Sequence, residues 1–256
     1  EIPGEGAFGP DLAITPIPAG HDVSVSIDCG LAGTVMRFVP PLAALVTGTL
    51  RFDGDIGARR RPMATTLHAL AQLGLKVDDE GRDTLPFTIT NTATTAGTSV
   101  SIDASASSQF VSGLLLMAAR LPGGLTVTHS GSHLPSLPHI EMTLSCLRAR
   151  GVEVDSSTLG VWRVSPGPIS ALDVEIEPDL SNAAPFLAAP LITGGQVSIE
   201  GWPSETTQVG VDVPRILEHF GATFTVAGST LTVDGGIGWR NGGDIPGVDL
   251  DLSHAG

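Results

Sequence analysis

Apolar and polar residues alternate along Ser99-Val100-Ser101-Ile102-Asp103, and the same alternation ends in an acid at Asp28, Glu177 and Asp251. A period of two sets one face of a strand against a core and the other toward water. These four acids are spaced 75, 74 and 74 residues apart. Short strands are also predicted over 49–53, 125–129 and 196–200, closed by Gly54, Gly131 and Gly201. The apolar period then lengthens to that of a helix over 67–73, 144–150 and 214–220, which end at Gly74, Gly151 and Gly221. A glycine there fits a left-handed C′ cap. Both glycine sets are separated by 77 and 70 residues, so the chain repeats itself.

Each repeat reads strand, helix, strand, helix, strand, strand, with last strands at 87–90, 161–164 and 230–233. Residues 12–16 resemble the last strand of a preceding unit and residues 248–256 the first strand of a following one. The expected fold is α/β of the α+β type, with three whole βαβαββ units and a partial unit at each end. An orphan strand at an edge has lost its pairing partners, so the ends read as those of a piece of a longer protein.

Composition narrows the class. The 256 residues are 41% hydrophobic and 16% charged, which describes a folded chain rather than a disordered one. A net charge of −14 argues against a nucleic-acid or acidic-membrane surface. Cations are scarce: one lysine, Lys76, and twelve arginines, three of them consecutive at Arg59, Arg60 and Arg61. Any anionic ligand therefore needs local positive contacts. Cys29 and Cys146 are too few for a disulfide framework, and no Cys–His spacing fits zinc. The apolar helix predicted over 110–120 is too short to cross a bilayer, and a cytoplasmic setting is the default.

Ser105-Ala106-Ser107-Ser108-Gln109-Phe110 joins an alternating strand to that helix. The first N–H groups of a helix lack intrahelical partners and carry partial positive charge, which suits a phosphate or carboxylate. A serine there also serves as an ordinary N-cap. From this motif alone, both readings stand.

Four motifs carry a family resemblance. Leu31-Ala32-Gly33-Thr34-Val35-Met36-Arg37, Arg60-Arg61-Pro62, Ser107-Ser108-Gln109-Phe110 and Leu134-Pro135-Ser136-Leu137-Pro138-His139-Ile140 occur in order, at comparable places in successive units. Their ordered set resembles 5-enolpyruvylshikimate-3-phosphate synthase over essentially the whole chain. The resemblance implies two globular bodies of three βαβαββ units each, with the active site in the cleft between them. On that template, residues 1–177 are a partial first domain: the end of unit one, then units two and three. Residues 178–256 are a partial second domain, one unit and the start of the next, entered near Glu177-Pro178-Asp179.

The resemblance also implies the chemistry. The family transfers the enolpyruvyl group of phosphoenolpyruvate to the 5-hydroxyl of shikimate 3-phosphate, releasing phosphate, without a cofactor or metal. Ser107, Ser108, Gln109 and Ser136 map onto the shikimate 3-phosphate cradle. Gly33, Arg61 and Gln109 map onto the phosphoenolpyruvate site, where glyphosate competes in this family. A planar guanidinium suits such an anion, whereas a solvated arginine in a charged loop is the plain alternative for Arg61. Gly33 fits either a ligand crowded by any side chain or ordinary helix-start geometry. Arg37 fits a structural role as well as a ligand-binding one, and Arg59 and Arg60 read as solvated neighbours. His139 stands where the family often has tyrosine, and Leu31 replaces a common asparagine. Asp179, Ser181 and Asn182 read as helix caps.

No residue of this chain maps onto the family's catalytic groups, which would fall before residue 1 or beyond residue 256. The isolated chain is therefore expected to be inactive, and the full-length form a monomer with small-molecule substrates, no nucleic acid and no membrane. Two other readings compete. One is the related transferase acting on UDP-N-acetylglucosamine, which uses a reactive cysteine in a mobile loop; neither Cys29 nor Cys146 has that setting. The other is a non-catalytic binding or scaffold fragment of the same fold.

Overall fold

Two parallel strand pairs set the frame of the computed structural model, which describes residues 14–15, 21–93, 95, 98–133 and 136–250. The chain groups into two compact units, Glu1–Ala96 and Gly97–Gly256. In the first, β1 (Asp22–Asp28) leads through α1 (Gly33–Phe38) to β2 (Thr47–Asp53). It continues through α2 (Ala64–Gln72), β3 (Lys76–Asp78) and β4 (Phe87–Asn91). The sheet order is β1-β2-β4-β3. β1 and β2 run parallel with Asp28 opposite Asp53, and β4 runs antiparallel to both β2 and β3.

One face of this sheet is dry. Leu50, Phe52, Phe87 and Ile89 are buried with Met36, Leu67 and Leu70 from the helices. The Phe52 and Phe87 rings stack with centroids 5.0 Å apart. Burying such side chains contributes roughly 1.5–3 kcal/mol each. The Asn91 amide, itself buried, donates to the carbonyls of Ala43 at 3.1 Å and Val46 at 2.8 Å. It thereby satisfies the backbone at the entry to β2, where bare carbonyls would be costly.

The second unit begins with the same order: β5 (Ser99–Ile102), α3 (Gln109–Ala118), β6 (Leu125–His129), α4 (Leu137–Ala149), β7 (Val154–Asp155) and β8 (Val161–Val164). Its first sheet is ordered β5-β6-β8-β7, with β5 and β6 parallel and Ile102 opposite His129. Of the ten residues of α3, only Gln109 and Leu116 escape burial, so this helix is enclosed on nearly all sides. A second sheet follows, ordered β10-β11-β9, from β9 (Gln196–Ile199), β10 (Thr223–Ala227) and β11 (Thr230–Asp234). With α5 (Leu180–Thr193) and α6 (Val213–Glu218) it closes over Leu180, Leu187, Trp202, Leu217, Leu231 and Val233.

The caps behave as chemistry requires. Gly74, Gly151 and Gly221 have φ of 89°, 76° and 95°, the left-handed conformation predicted where each helix ends. Asp179 caps α5, its Oδ1 accepting from the Asn182 N–H at 2.9 Å, an interaction of about 1 kcal/mol.

One predicted strand is absent. The alternating stretch that ends at Glu177 forms no ladder, and Val174 and Ile176 are exposed. Alternation equips a segment to pair but does not supply the edge it pairs with. Among the described residues β9 stands at the end of its sheet, with β11 as its neighbour. The partial strands expected over 12–16 and 248–256 lie largely outside the described residues.

Candidate functional site

Parallel pairing brings the loops that follow paired strands to one end of a sheet. In the first unit, Cys29 N–H donates to the Asp53 carbonyl at 2.7 Å and Asp55 N–H to the Gly30 carbonyl at 3.1 Å. The two loops therefore touch backbone to backbone, and a Cβ on Gly54 would stand 2.8 Å from the Gly30 oxygen. This contact delivers Arg61 to the turn before α1. Arg61 Nη1 donates to the Leu31 carbonyl at 2.9 Å, and Arg37 Nη1 donates to the Gly33 carbonyl at 3.3 Å. A Cβ on Gly33 would fall 2.9 Å from each of these Nη1 atoms. Burial, and then the cation of Arg61, hold the Arg37 guanidinium below its ordinary pKa.

The three consecutive arginines have separate fates. Arg59 forms a two-point pair with Asp53, Nε to Oδ1 at 2.9 Å and Nη2 to Oδ2 at 2.8 Å. It is thus engaged rather than simply solvated. That pairing is the main reason the Asp53 carboxyl sits below its usual range. Arg60 is exposed, and Arg61 faces Gly33.

The second unit repeats the arrangement with different side chains. Ser130 N–H donates to the Ile102 carbonyl at 2.9 Å, and Ala104 N–H donates to His129 Nδ1 at 3.2 Å. His129 is therefore unprotonated at Nδ1 while this bond lasts. Asp103 Oδ1 accepts from Ser105 N–H at 2.9 Å, and the Ser105 hydroxyl leads the interactions that keep the Asp103 carboxyl low. The loop reaches α3 through Ser107, whose N–H donates to the Ala104 carbonyl at 3.0 Å.

Capping explains little of the serine pair. Ser108 stands at the N-cap with helical angles and makes no side-chain cap bond. Ser107 Oγ accepts from Gln109 N–H at a long 3.3 Å. The first turn of α3 is tied to the middle of α4 by Thr143 Oγ1, which donates to Ser112 Oγ at 2.8 Å. At the N-cap of α4, Ser136 Oγ lies 2.7 Å from His139 Nδ1. When His139 donates in this pair, the Ser136 proton is available to an anion. Sequence reasoning treated His139 only as a missing tyrosine; its readable signal was the Ser-x-x-His spacing at a helix start.

Gly131 locks this loop pair. A Cβ there would collide with Asp103 Oδ1, Ser105 Oγ and His129 Cε1. Gly131→Ala is expected to cost about 1–3 kcal/mol, the usual range for overpacking, as a lowered urea midpoint. An unchanged midpoint would mean that the 103–105 turn yields without cost.

Gly33 and Arg61 thus meet within the first unit, and Ser107, Ser108 and Gln109 are consecutive within the second, which also holds Ser136. Cys29 is buried, its thiol pushed up by burial and by Asp28 and Asp53, which disfavours a nucleophilic thiolate. Cys146 is exposed on α4. Among the described residues no group of three His, Cys, Asp or Glu is placed to hold a metal ion, and no helix is long and apolar enough to cross a membrane.

Comparison with known proteins agrees in one direction. Residues 15–255 match the family described as EPSP synthase (3-phosphoshikimate 1-carboxyvinyltransferase). The whole chain is 52% identical to a 3-phosphoshikimate 1-carboxyvinyltransferase of Kocuria rhizophila, and spans 57% of that protein's length. Among solved structures, EPSP synthase from Acinetobacter baumannii is similar at a TM-score of 0.61 and 24% identity. That match covers 86% of this chain and 49% of the other. The enolpyruvyl transferase NikO from Streptomyces tendae follows at 0.53 and 18%, covering 77% and 45%. At these identities the two structures speak for the fold alone.

Proposed function

The chain belongs to the EPSP synthase family, and from that membership we propose that it forms part of an enzyme transferring the enolpyruvyl group of phosphoenolpyruvate to shikimate 3-phosphate. The family match along 15–255 carries the proposal. Local chemistry supports it, because both substrates are polyanions and need donors aimed at oxygen atoms. Ser107, Ser108, Gln109 and Ser136 are assigned to shikimate 3-phosphate. Gly33, Arg61 and Gln109 are assigned to phosphoenolpyruvate. Ser108 suits its role in having no cap to form, and Arg61 in being oriented by a backbone carbonyl.

No proton-transfer group is assigned to this chain, whose part is to bind and orient. Residues 1–177 are assigned to the first body and 178–256 to the second, on the repeat boundary and the proline at 178. A biosynthetic transferase with two free thiols suits a reducing cytoplasm.

Thermal melting of the whole enzyme containing this chain tests the reading. Shikimate 3-phosphate at a hundredfold excess over its Kd is expected to add about 2.7 kcal/mol of stability, and UDP-N-acetylglucosamine nothing. Stabilisation by the nucleotide sugar alone would favour the related transferase. Stabilisation by neither would favour a scaffold.

A further inference from the structure

We propose that His129 is a positioning residue for shikimate 3-phosphate, holding the serine loop in place through its unprotonated Nδ1. When that nitrogen takes a proton the loop is released, and affinity for the phosphate falls. The inference rests on the shikimate 3-phosphate site proposed above and adds a residue that does not itself touch the ligand.

Two hydrogen bonds in series link the ring to the serines. His129 ends β6 and is fixed from the sheet, its own N–H donating to the Gly160 carbonyl at 2.8 Å. Its Nδ1 accepts from the Ala104 N–H at 3.2 Å, and the Ala104 carbonyl accepts from the Ser107 N–H at 3.0 Å. Ala104 is fully buried, so its N–H is costly to leave without an acceptor. The first unit meets the same need differently. Cys29 follows Asp28 as Ala104 follows Asp103, and the Cys29 N–H donates to a backbone carbonyl, that of Asp53. A carbonyl does not titrate. In the second unit a ring that does has taken its place.

An imidazole nitrogen accepts a hydrogen bond only while it carries no proton. A proton on Nδ1 would set two N–H groups against each other, and the loop would have to give up Ala104. The ring has little room to turn aside, because the loop at Gly131 approaches so closely that a Cβ there would collide with Cε1. Nε2 is buried and meets no hydrogen-bond partner, so the bond to Ala104 is the one that orients the ring.

Few charges face it. Asp103 interacts with both His129 and His133, and its Oδ1 accepts from the Ser105 N–H at 2.9 Å. That carboxylate would draw an imidazolium toward itself and away from Ala104. His133 Nδ1 lies 2.8 Å from Ser132 Oγ. On the side of β8, residues 156–161 carry no ionisable group, and neither do Ser107, Ser108 and Gln109 at the start of α3. In α4, His139 pairs with Ser136 and Glu141 with Arg148. The cradle is thus whole while His129 is neutral and is lost as pH falls through the range where imidazoles titrate, about pH 5 to 8.

Calorimetric titration of shikimate 3-phosphate into the whole enzyme, at about pH 8 and about pH 5.5, tests this with two substitutions. His129→Asn keeps an acceptor oxygen near the place of Nδ1 and cannot titrate; His129→Leu removes the acceptor at every pH. At the higher pH His129→Asn should bind within about threefold of the wild type. His129→Leu should bind roughly 5- to 50-fold more weakly, because a loop competent in a fraction of molecules binds in proportion to that fraction. At the lower pH the wild type should lose at least about fivefold more affinity than His129→Asn. Titration of the ligand's phosphate, of His133 and of His139 is common to both proteins and cancels in that ratio. Should His129→Leu fail to fold, the ratio decides alone. Parallel pH profiles for the wild type and His129→Asn, or normal binding by folded His129→Leu, would overturn the role of His129. The double substitution Ser107→Ala, Ser108→Ala is the control: if it leaves affinity unchanged, the underlying site reading fails. If it weakens binding while the His129 variants behave as wild type, only the role of His129 falls.

Discussion

Replacing Ser107 and Ser108 together by alanine is expected to weaken shikimate 3-phosphate binding by roughly 2–5 kcal/mol in the whole enzyme. Two hydrogen bonds to a charged group contribute about 1.5–3 kcal/mol each, and water offsets part of their loss. Stability should fall by about 1 kcal/mol at most, the typical worth of a helix cap. The structure gives reason for that imbalance. Ser108 makes no cap bond, and the single Ser107 contact to Gln109 N–H is 3.3 Å long. Calorimetric titration beside thermal melting separates the effects. Intact affinity with a lowered melting temperature would return both serines to an ordinary structural role.

Adjacent arginines should answer very differently to the same change. Arg61→Gln is expected to lower kcat/KM for phosphoenolpyruvate by about 2–5 kcal/mol, the range seen when one member of a hydrogen-bonded charge pair is removed. Arg59→Gln should cost less than about 1 kcal/mol of stability and little activity. Its ion pair with Asp53 is partly exposed, with 48% and 34% of the two side chains accessible, so solvent screens it. Kinetics on both variants decide the matter. If Arg59→Gln is the more damaging to phosphoenolpyruvate use, the assignment of Arg61 is wrong.

Local pattern reached the regular elements well and the pairing poorly. Strands at 125–129 and 161–164 emerge with the predicted bounds, because their alternation coincides with an available ladder. The alternating stretch before Glu177 carries a similar local signal and forms no strand, since pairing depends on a neighbour that alternation does not encode. The glycines that close strands looked equivalent at equal offsets. Gly201 adopts a φ of 74°, whereas Gly131 is needed for close approach to Asp103, Ser105 and His129. Motif resemblance named Arg61 and the serine loop. It left Arg37 open between a structural and a ligand-binding role, because the contact of Arg61 with the turn at Gly33 is met only when the loops after β1 and β2 come together, and it read Arg59 as solvated where its guanidinium pairs with Asp53 at the end of β2. His139 was hidden for the same reason, as its bond to Ser136 depends on how the first turn of α4 is set.

The enclosure of α3 bears on how such a protein can change over generations. A helix with Val111, Leu114, Leu115 and Met117 all buried cannot slide or rotate without repacking a dense core. Substitution thus has little room along the helix that begins at Gln109. The exposed and half-exposed residues of the turn ahead of it, such as Ser105 and Ala106, are where substitutions can accumulate at low cost to the fold.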